Sequence, residues 1–353
     1  MTTTADAMLD LEILSRAEKV RFDLTDKTGK VIGAIHPVSA VTISNDAGSQ
    51  IKRTMSGFQL AADEYADVNP LTDRVRPYWV LSTGDPYPLG VFLFAEASTQ
   101  RWSYGRTLTA TLVDQGLILA QEISESLGFD AGTTASAAIT RTFEAAGIYS
   151  STVATTAYTF GSPLAYPAGR GGATYAKILD ELCTKAGYYP AYFDNNGTPT
   201  VRATETLADV TATLNYVDGG RITSGTIVES NDLLKAPNRF LVVDTAATTG
   251  DISYVYDIPE GAPHSFENRG FRITKTIEAP GVGDKVQAEN VARAYYSNNP
   301  QAYETAVWSS PPDPRHDTFD VVNYRGVNYL ELGWSLTCTP GGAHTHTASR
   351  VYL

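Results

Sequence analysis

Alternation of apolar and polar residues, broken by short polar turns, is the feature that most narrows how this chain can fold. Val20, Phe22 and Leu24 alternate with Arg21, Asp23 and Thr25, the period of a half-buried strand. Asp26-Lys27-Thr28-Gly29-Lys30 reads as a turn in which Gly29 can take positive φ, and residues 31–35 return as the partner strand. A second hairpin is expected from residues 75–81 and 89–95 around Gly84-Asp85-Pro86, and a third run over 107–113 carries Leu108, Ala110 and Leu112 on one face. Residues 48–75 are mixed and are assigned no element. Repeated strands with short connections favour a barrel or sandwich. Twenty Tyr and many Thr and Val agree, because aromatic and β-branched side chains suit a pleated, half-buried surface.

Near Leu117 the period changes. Residues 135–146 read as a short helix closed by Gly147, and 150–173, rich in Ser, Thr, Ala, Gly and Pro, as a long connection. The strongest helical pattern follows over 175–186. Tyr175, Ile178, Leu179, Leu182, Cys183 and Ala186 fall on one stripe, with Thr174 as N-cap and Gly187 as terminator. Strands over 188–193 and 200–203 flank the turn Asn195-Asn196-Gly197, completing a small α+β module. Strands are expected again over 222–228, 240–243, 252–256 and 271–277, with a loop at 244–250. A helix is expected over 284–298, with Val286, Val291, Ala294 and Tyr295 as its apolar positions, and strands from 305 onward. Residues 78–114 and 318–353 share a plan of strand, turn, strand, polar loop, strand, which suggests an internal duplication.

The formal charge is −12, from 27 Lys and Arg against 39 Asp and Glu. No basic run occurs, which argues against a sequence-specific DNA binder, whose affinity comes largely from cations on phosphates. A chain of 353 residues is expected to make two to four domains. Cys183 and Cys338 stand alone, as buried thiols in a reducing compartment would. The first residues carry Asp6, Asp10 and Glu12 where a secretory signal would be basic, and no apolar run is long enough to span a membrane.

Chemistry is sparse. His344 and His346 would share one face of a strand, as Zn or Ni ligands do, but no third His or Cys is close in sequence, so they are read as polar residues of a loop or strand edge. Pro311-Pro312-Asp313-Pro314-Arg315-His316-Asp317 is read as a rigid turn before a strand. Ala168-Gly169-Arg170-Gly171-Gly172-Ala173 precedes a helix but lacks the phosphate-loop Lys and the full dinucleotide spacing, so it is read as a connector. Asp180 and Glu181 are adjacent on a helix and point apart, unlike the facing carboxylates of a glycosidase. No residue is assigned a catalytic, cofactor-binding or metal-binding role, no cofactor is expected, and the interface residues are left unassigned.

Several stretches share a texture: Val20-Arg21-Phe22, Tyr87-Pro88-Leu89-Gly90-Val91-Phe92-Leu93-Phe94, the run from Ala110 to Gly116, and Ile178-Leu179-Asp180-Glu181-Leu182-Cys183. To these belong the run from Ala186 to Asn195, the run from Asp232 to Asn238, Ala262-Pro263-His264-Ser265, Asn268-Arg269-Gly270-Phe271 and, most distinctive, the run from Pro311 to Val322. Together, in this order, they resemble the minor tail proteins of siphophages that infect actinobacteria. The resemblance implies a tail-tip or baseplate hub, related in fold to the hubs of contractile-phage baseplates and type VI secretion spikes. It implies a mainly β fold of two similar antiparallel β-barrels plus a smaller α+β module. The first barrel, with an N-terminal extension, would occupy 1–118 and dock the tube. The α+β module would take 119–220 and 246–302, and the second barrel 221–245 and 303–353. Three chains would then offer six barrels to a sixfold tail tube. The implied partners are further copies of the chain, the distal tail protein, the tape measure protein and tip fibre proteins, and genomic DNA would pass through the channel without specific binding. The implied location is the virion tail tip after synthesis in the host cytoplasm. Since the chain ends at Leu353, any wall hydrolase is expected to be a separate protein. The alternatives are a hexameric distal tail ring protein and a cell-wall-degrading enzyme.

Overall fold

The alternating segments pair into one large sheet. The computed structural model describes residues 19–62, 68–102, 105–169, 172–204, 210–216, 228–230, 236–244, 252–279, 282, 285–298, 304–324 and 326–350. The sheet's early strands are Lys19–Thr25, Val31–Ile35, Thr42–Asp46, Arg53–Ala61, Arg74–Val80, Pro86–Pro88, Phe92–Trp102 and Gly105–Asp114. Leu214–Tyr216 and Val228–Ser230 come from the middle of the chain, and Glu304–Ser310, Val321–Tyr324, Val327–Thr337 and His344–Arg350 from its end. Pairing is antiparallel apart from Leu214–Tyr216, which runs parallel to Val321–Tyr324.

The two halves share a ladder. Thr42–Asp46 pairs with Arg53–Ala61 on one side and with Val327–Thr337 on the other, where Ile43 faces Leu336 and Asn45 faces Trp334. Trp334, Leu336 and Cys338 accordingly pack in the same core as Phe22, Met55, Phe58, Trp79 and Phe92. Where two similar barrels are expected, the fold is mainly β with a few helices, and the large sheet joins both halves with no closed barrel among the described residues. The joining strands escaped the sequence pattern for a physical reason. Arg53–Ala61 carries a register shift between Met55 and Phe58, and Gly57 sits there at φ +74° with its missing Cβ against the Ala40 carbonyl. One inserted residue moves every later side chain to the other parity, so Met55, Phe58 and Leu60 are all buried without alternating.

Both suspected repeats are three-strand antiparallel meanders. One comprises Arg74–Val80, Phe92–Trp102 and Gly105–Asp114, and the other Val321–Tyr324, Val327–Thr337 and His344–Arg350. In each, the second and third strands pair across a bulge, between Phe94 and Glu96 and between Glu331 and Gly333.

Between the meanders lies the α+β material. The helix Tyr175–Ala186 forms as its sequence predicts. The Thr174 hydroxyl accepts from the Lys177 amide, and Gly187 ends the helix at φ 72°. Its stripe packs with Ile139 and Phe143 of the helix Ala135–Ala145. Cys183 and Cys338 are both buried free thiols. The segment expected to open the second barrel is divided. Val228–Ser230 joins the large sheet, whereas Arg239–Asp244 sits in a separate three-stranded sheet with Ile252–Asp257 and Thr274–Glu278. There Phe240 packs on Tyr295 and Tyr296 of the helix Lys285–Asn298. That helix contains Val286, Val291, Ala294 and Tyr295 as expected, but Val286 is exposed. The expected strand at 222–228 and loop at 244–250 fall mostly outside the described residues. No helix among the described residues is long and apolar enough to cross a membrane.

Candidate functional site

The densest buried polar chemistry sits on the distinctive segment 311–320 and the meander strands beside it. In His344–Arg350, His344, His346 and Ala348 share one face, and their neighbours across the ladder are Ser310, Trp308 and Ala306 on one side and Leu336, Trp334 and Glu331 on the other. Glu331 belongs to this face because of the bulge. Counting back from Trp334 in steps of two would reach Leu332 and Leu330, but the extra residue swaps parity and turns Glu331 inward.

The result is a carboxylate held between two imidazoles. Glu331 Oε2 lies 2.5 Å from His316 Nδ1, and Oε1 lies 2.7 Å from His346 Nδ1. The far nitrogens meet hydroxyls, with His316 Nε2 2.5 Å from the Tyr216 hydroxyl and His346 Nε2 2.8 Å from Ser310 Oγ. His344 Nδ1 accepts from the Asp313 amide at 3.3 Å, while its Nε2 is buried with no partner among the described residues. Trp308 stacks on His346 with ring centroids 5.1 Å apart, and Trp334 meets His344 edge-on. His344, His346 and Glu331 have no exposed surface. Burial raises the Glu331 carboxyl, opposed by the His346 hydrogen bond, and burial lowers His344 and His346. Burial alone would raise Asp313 too, but the Arg315 guanidinium, 2.6 Å away, holds it below its usual value.

The next residues of the segment tie the units together. Asp317 pairs with the guanidinium of Arg53, whose side chain is fully buried. Arg53 also donates to the Leu89 carbonyl at 3.3 Å and to Asn195 Oδ1 at 2.6 Å, and its guanidinium lies over the Trp334 ring. One side chain thus connects the first meander, the α+β hairpin and the second meander. Thr318 donates its hydroxyl to Asn45 Oδ1 at 2.9 Å. Phe319 has φ +61°, outside the range most L-residues adopt; it stacks on Tyr189 and meets Tyr192 edge-on, and Arg202 donates to its carbonyl. Burial, then the neighbouring Asp317 carboxylate, pushes Asp320 up to about 6.

The sequence reading of His344 and His346 as loop or edge residues is therefore corrected. They lie on a strand with a neighbour on each side and are wholly buried. The third histidine, missing nearby in sequence, is His316, folded in from the segment read as a rigid turn. Neither alternation nor spacing marks Tyr216 or Glu331 in the sequence. Asp180 and Glu181 do point apart: Glu181 pairs with Lys185 at 2.7 Å, while Asp180 is exposed. Of the glycine-rich connector, Arg170 and Gly171 fall outside the described residues.

A separate buried histidine yields a pH expectation. His264 is bonded to the Tyr296 hydroxyl at 3.0 Å, and burial and the nearby Arg269 lower it to about 4. The unfolded chain protonates this residue near pH 6.5 while the native state resists until about 4, so native stability falls as pH drops through that window. The loss attributable to His264 is about 2–3 kcal/mol. Urea unfolding of His264→Gln at pH 7 and pH 4.5 should show a shallower loss than the parent; equal slopes would remove His264 as the cause.

No protein-family model matches the chain, and no curated protein matches it. Solved structures do match. A tail protein from Neisseria meningitidis superposes with a TM-score of 0.65 at 12% identity, covering 95% of this chain and 98% of that one. The 43 kDa tail protein of prophage MuSo2 from Shewanella oneidensis gives 0.62 at 14% identity, covering 94% and 98%. An E. coli type VI secretion component, described as similar to the T4 phage tail proteins gp27 and gp5, gives 0.51 at 8% identity over 89% and 73%. The chain thus has the fold of these phage tail proteins, a fold shared with a type VI secretion component that is itself similar to gp27 and gp5.

Proposed function

We propose that this chain is the tail-tip hub of a siphophage: a homotrimer that adapts a sixfold tail tube to a threefold tip and leaves a channel for DNA. The observation that carries the reading is the likeness to phage tail proteins over nearly the full length of both chains. Two meanders of like topology in each chain supply a physical route to symmetry matching, since three copies present six such units. The tail tip is then the chain's place in the virion, with the distal tail protein, tape measure protein and tip fibres as its neighbours. Its role is to join them, not to catalyse a reaction. The acidic surplus, 39 carboxylates against 27 cations, suits a channel wall that repels phosphates instead of holding them.

Native mass spectrometry of the purified chain, with electron microscopy of assembled tips, tests this reading. The expected result is a trimer whose meander units alternate around a threefold axis. A hexameric ring with one copy per tube subunit would point to a distal tail protein instead, and peptidoglycan cleavage by the purified chain would point to an enzyme.

A further inference from the structure

We propose that His316, His344 and His346 form a structural binding site for a borderline transition-metal ion such as zinc, oriented by the Glu331 carboxylate. One ring nitrogen from each histidine lies within 4.8 Å of those of the other two, and all three residues are buried. The ring centroids are 4.1, 4.5 and 4.9 Å apart. Ligand nitrogens around a tetrahedral zinc are roughly 3.4 Å apart, given bonds of about 2.0–2.1 Å. Closing the three rings on an ion therefore takes a movement on the order of 1 Å, within the reach of side-chain rotation.

Two independent features point to an ion. The first is charge. Glu331 is fully buried and, among the described residues, its carboxylate oxygens bond only to imidazoles, with no Lys or Arg on them. The nearby guanidinium of Arg315 is committed to Asp313. A buried carboxylate needs a compensating positive charge; a protonated His316 would supply it as an ion pair, and a divalent ion on the neighbouring imidazoles supplies it with the rings neutral. The second is the His344 Nε2 atom, which is buried with no partner among the described residues. Leaving a ring nitrogen so is costly; coordination satisfies it once the proton that Nε2 carries in this tautomer moves to Nδ1, at the expense of the long contact from the Asp313 amide.

The carboxylate is placed as an orienting group, not a ligand. By accepting from Nδ1–H of His316 and His346 it fixes both tautomers and leaves their Nε2 lone pairs for a metal, the arrangement by which carboxylates tune histidine ligands. Those two Nε2 atoms now meet the Tyr216 and Ser310 hydroxyls, so either oxygen is placed to complete a four-coordinate shell. Three imidazoles select zinc, nickel, cobalt or copper over magnesium or calcium, which prefer oxygen. Because the cluster is sealed, the ion enters as the chain folds, and removing it acts on folding. It would pin the segment 311–320 to the meander at the same place where Asp317 engages Arg53.

The test uses the full chain without a polyhistidine tag. It is unfolded with chelator and refolded with zinc, with cobalt or with chelator alone. The expected outcome is about one zinc per chain after gel filtration. A visible d–d band in the cobalt form and a lower melting temperature after refolding with chelator are also expected. His344→Gln should lose the metal and make melting indifferent to chelator. Glu331→Gln should keep it with affinity weakened about 10- to 100-fold. If neither variant folds, the cobalt spectrum and the chelator shift of the parent still decide. A parent that refolds with less than about one-tenth of an ion per chain, shows no cobalt band and melts identically with and without chelator would overturn the proposal. The cluster would then be a metal-free chain of hydrogen bonds from Tyr216 to Ser310.

Discussion

Replacing Arg53 with Ala is expected to destabilise the protein by about 3–5 kcal/mol, because it removes one partner of a largely buried ion pair and leaves the other uncompensated. The side chain has no exposed surface, and Asp317 is 23% exposed. Asp317 would keep the amides of Asn195 and Thr318 but lose its cation. The Leu89 carbonyl and Asn195 Oδ1 would each lose a donor. The Arg53 amide would still donate to Asp114 at 2.9 Å, so the strand itself is kept and the loss is that of the joint. Arg53→Lys should recover only part of the stability, since an ammonium cannot fork to three partners in one plane. The double change Arg53→Met with Asp317→Asn should cost less than the sum of the two single changes. Denaturant unfolding of the four proteins gives the coupling. A loss under about 1 kcal/mol for Arg53→Ala, typical of an exposed pair, would mean that the guanidinium does not hold the units together.

Leu182→Ala should cost about 2–5 kcal/mol, the sum of lost burial and the cavity left behind. Leu182 is fully buried in the middle of the helix Tyr175–Ala186, in a cluster with Phe143, Leu179, Tyr188 and Phe193. Its neighbours come from a second helix and from the following hairpin, so the site cannot collapse from one side alone. The ends of the helix do not depend on it, since the Thr174 cap and the Gly187 terminator lie outside the stripe. The loss should therefore appear as a lower melting temperature with little change in native helical signal. A melting temperature unchanged by the substitution would show that the helix packs elsewhere.

These two positions differ in how far the sequence reveals them. Leu182 is legible because an amphipathic helix is a local object: its period, cap and terminator lie within 14 consecutive residues, from Thr174 to Gly187. The hairpin Lys19–Thr25 with Val31–Ile35 is legible for the same reason, down to Gly29 at φ 85° in its turn. Arg53 is not legible. A cation next to Lys52 in an unassigned stretch gains its meaning from Asp317, 264 positions away.

The sequence by itself determined the local elements: alternating strands at both ends, capped helices between them, and two meanders of similar plan. It could do so because propensity, periodicity and turn chemistry act over a few residues. Tertiary structure alone decided that Thr42–Asp46 welds the two halves into one sheet. It alone decided that the extra residue Leu332 turns Glu331 inward, and that His316, in a stretch read as a turn, meets His344 and His346. Each of these depends on strand register and on the pairing of distant segments. A one-residue shift in register exchanges the two faces of a strand, so the chemistry of the cluster follows from ladder alignment and cannot be read from the spacing of its residues along the chain.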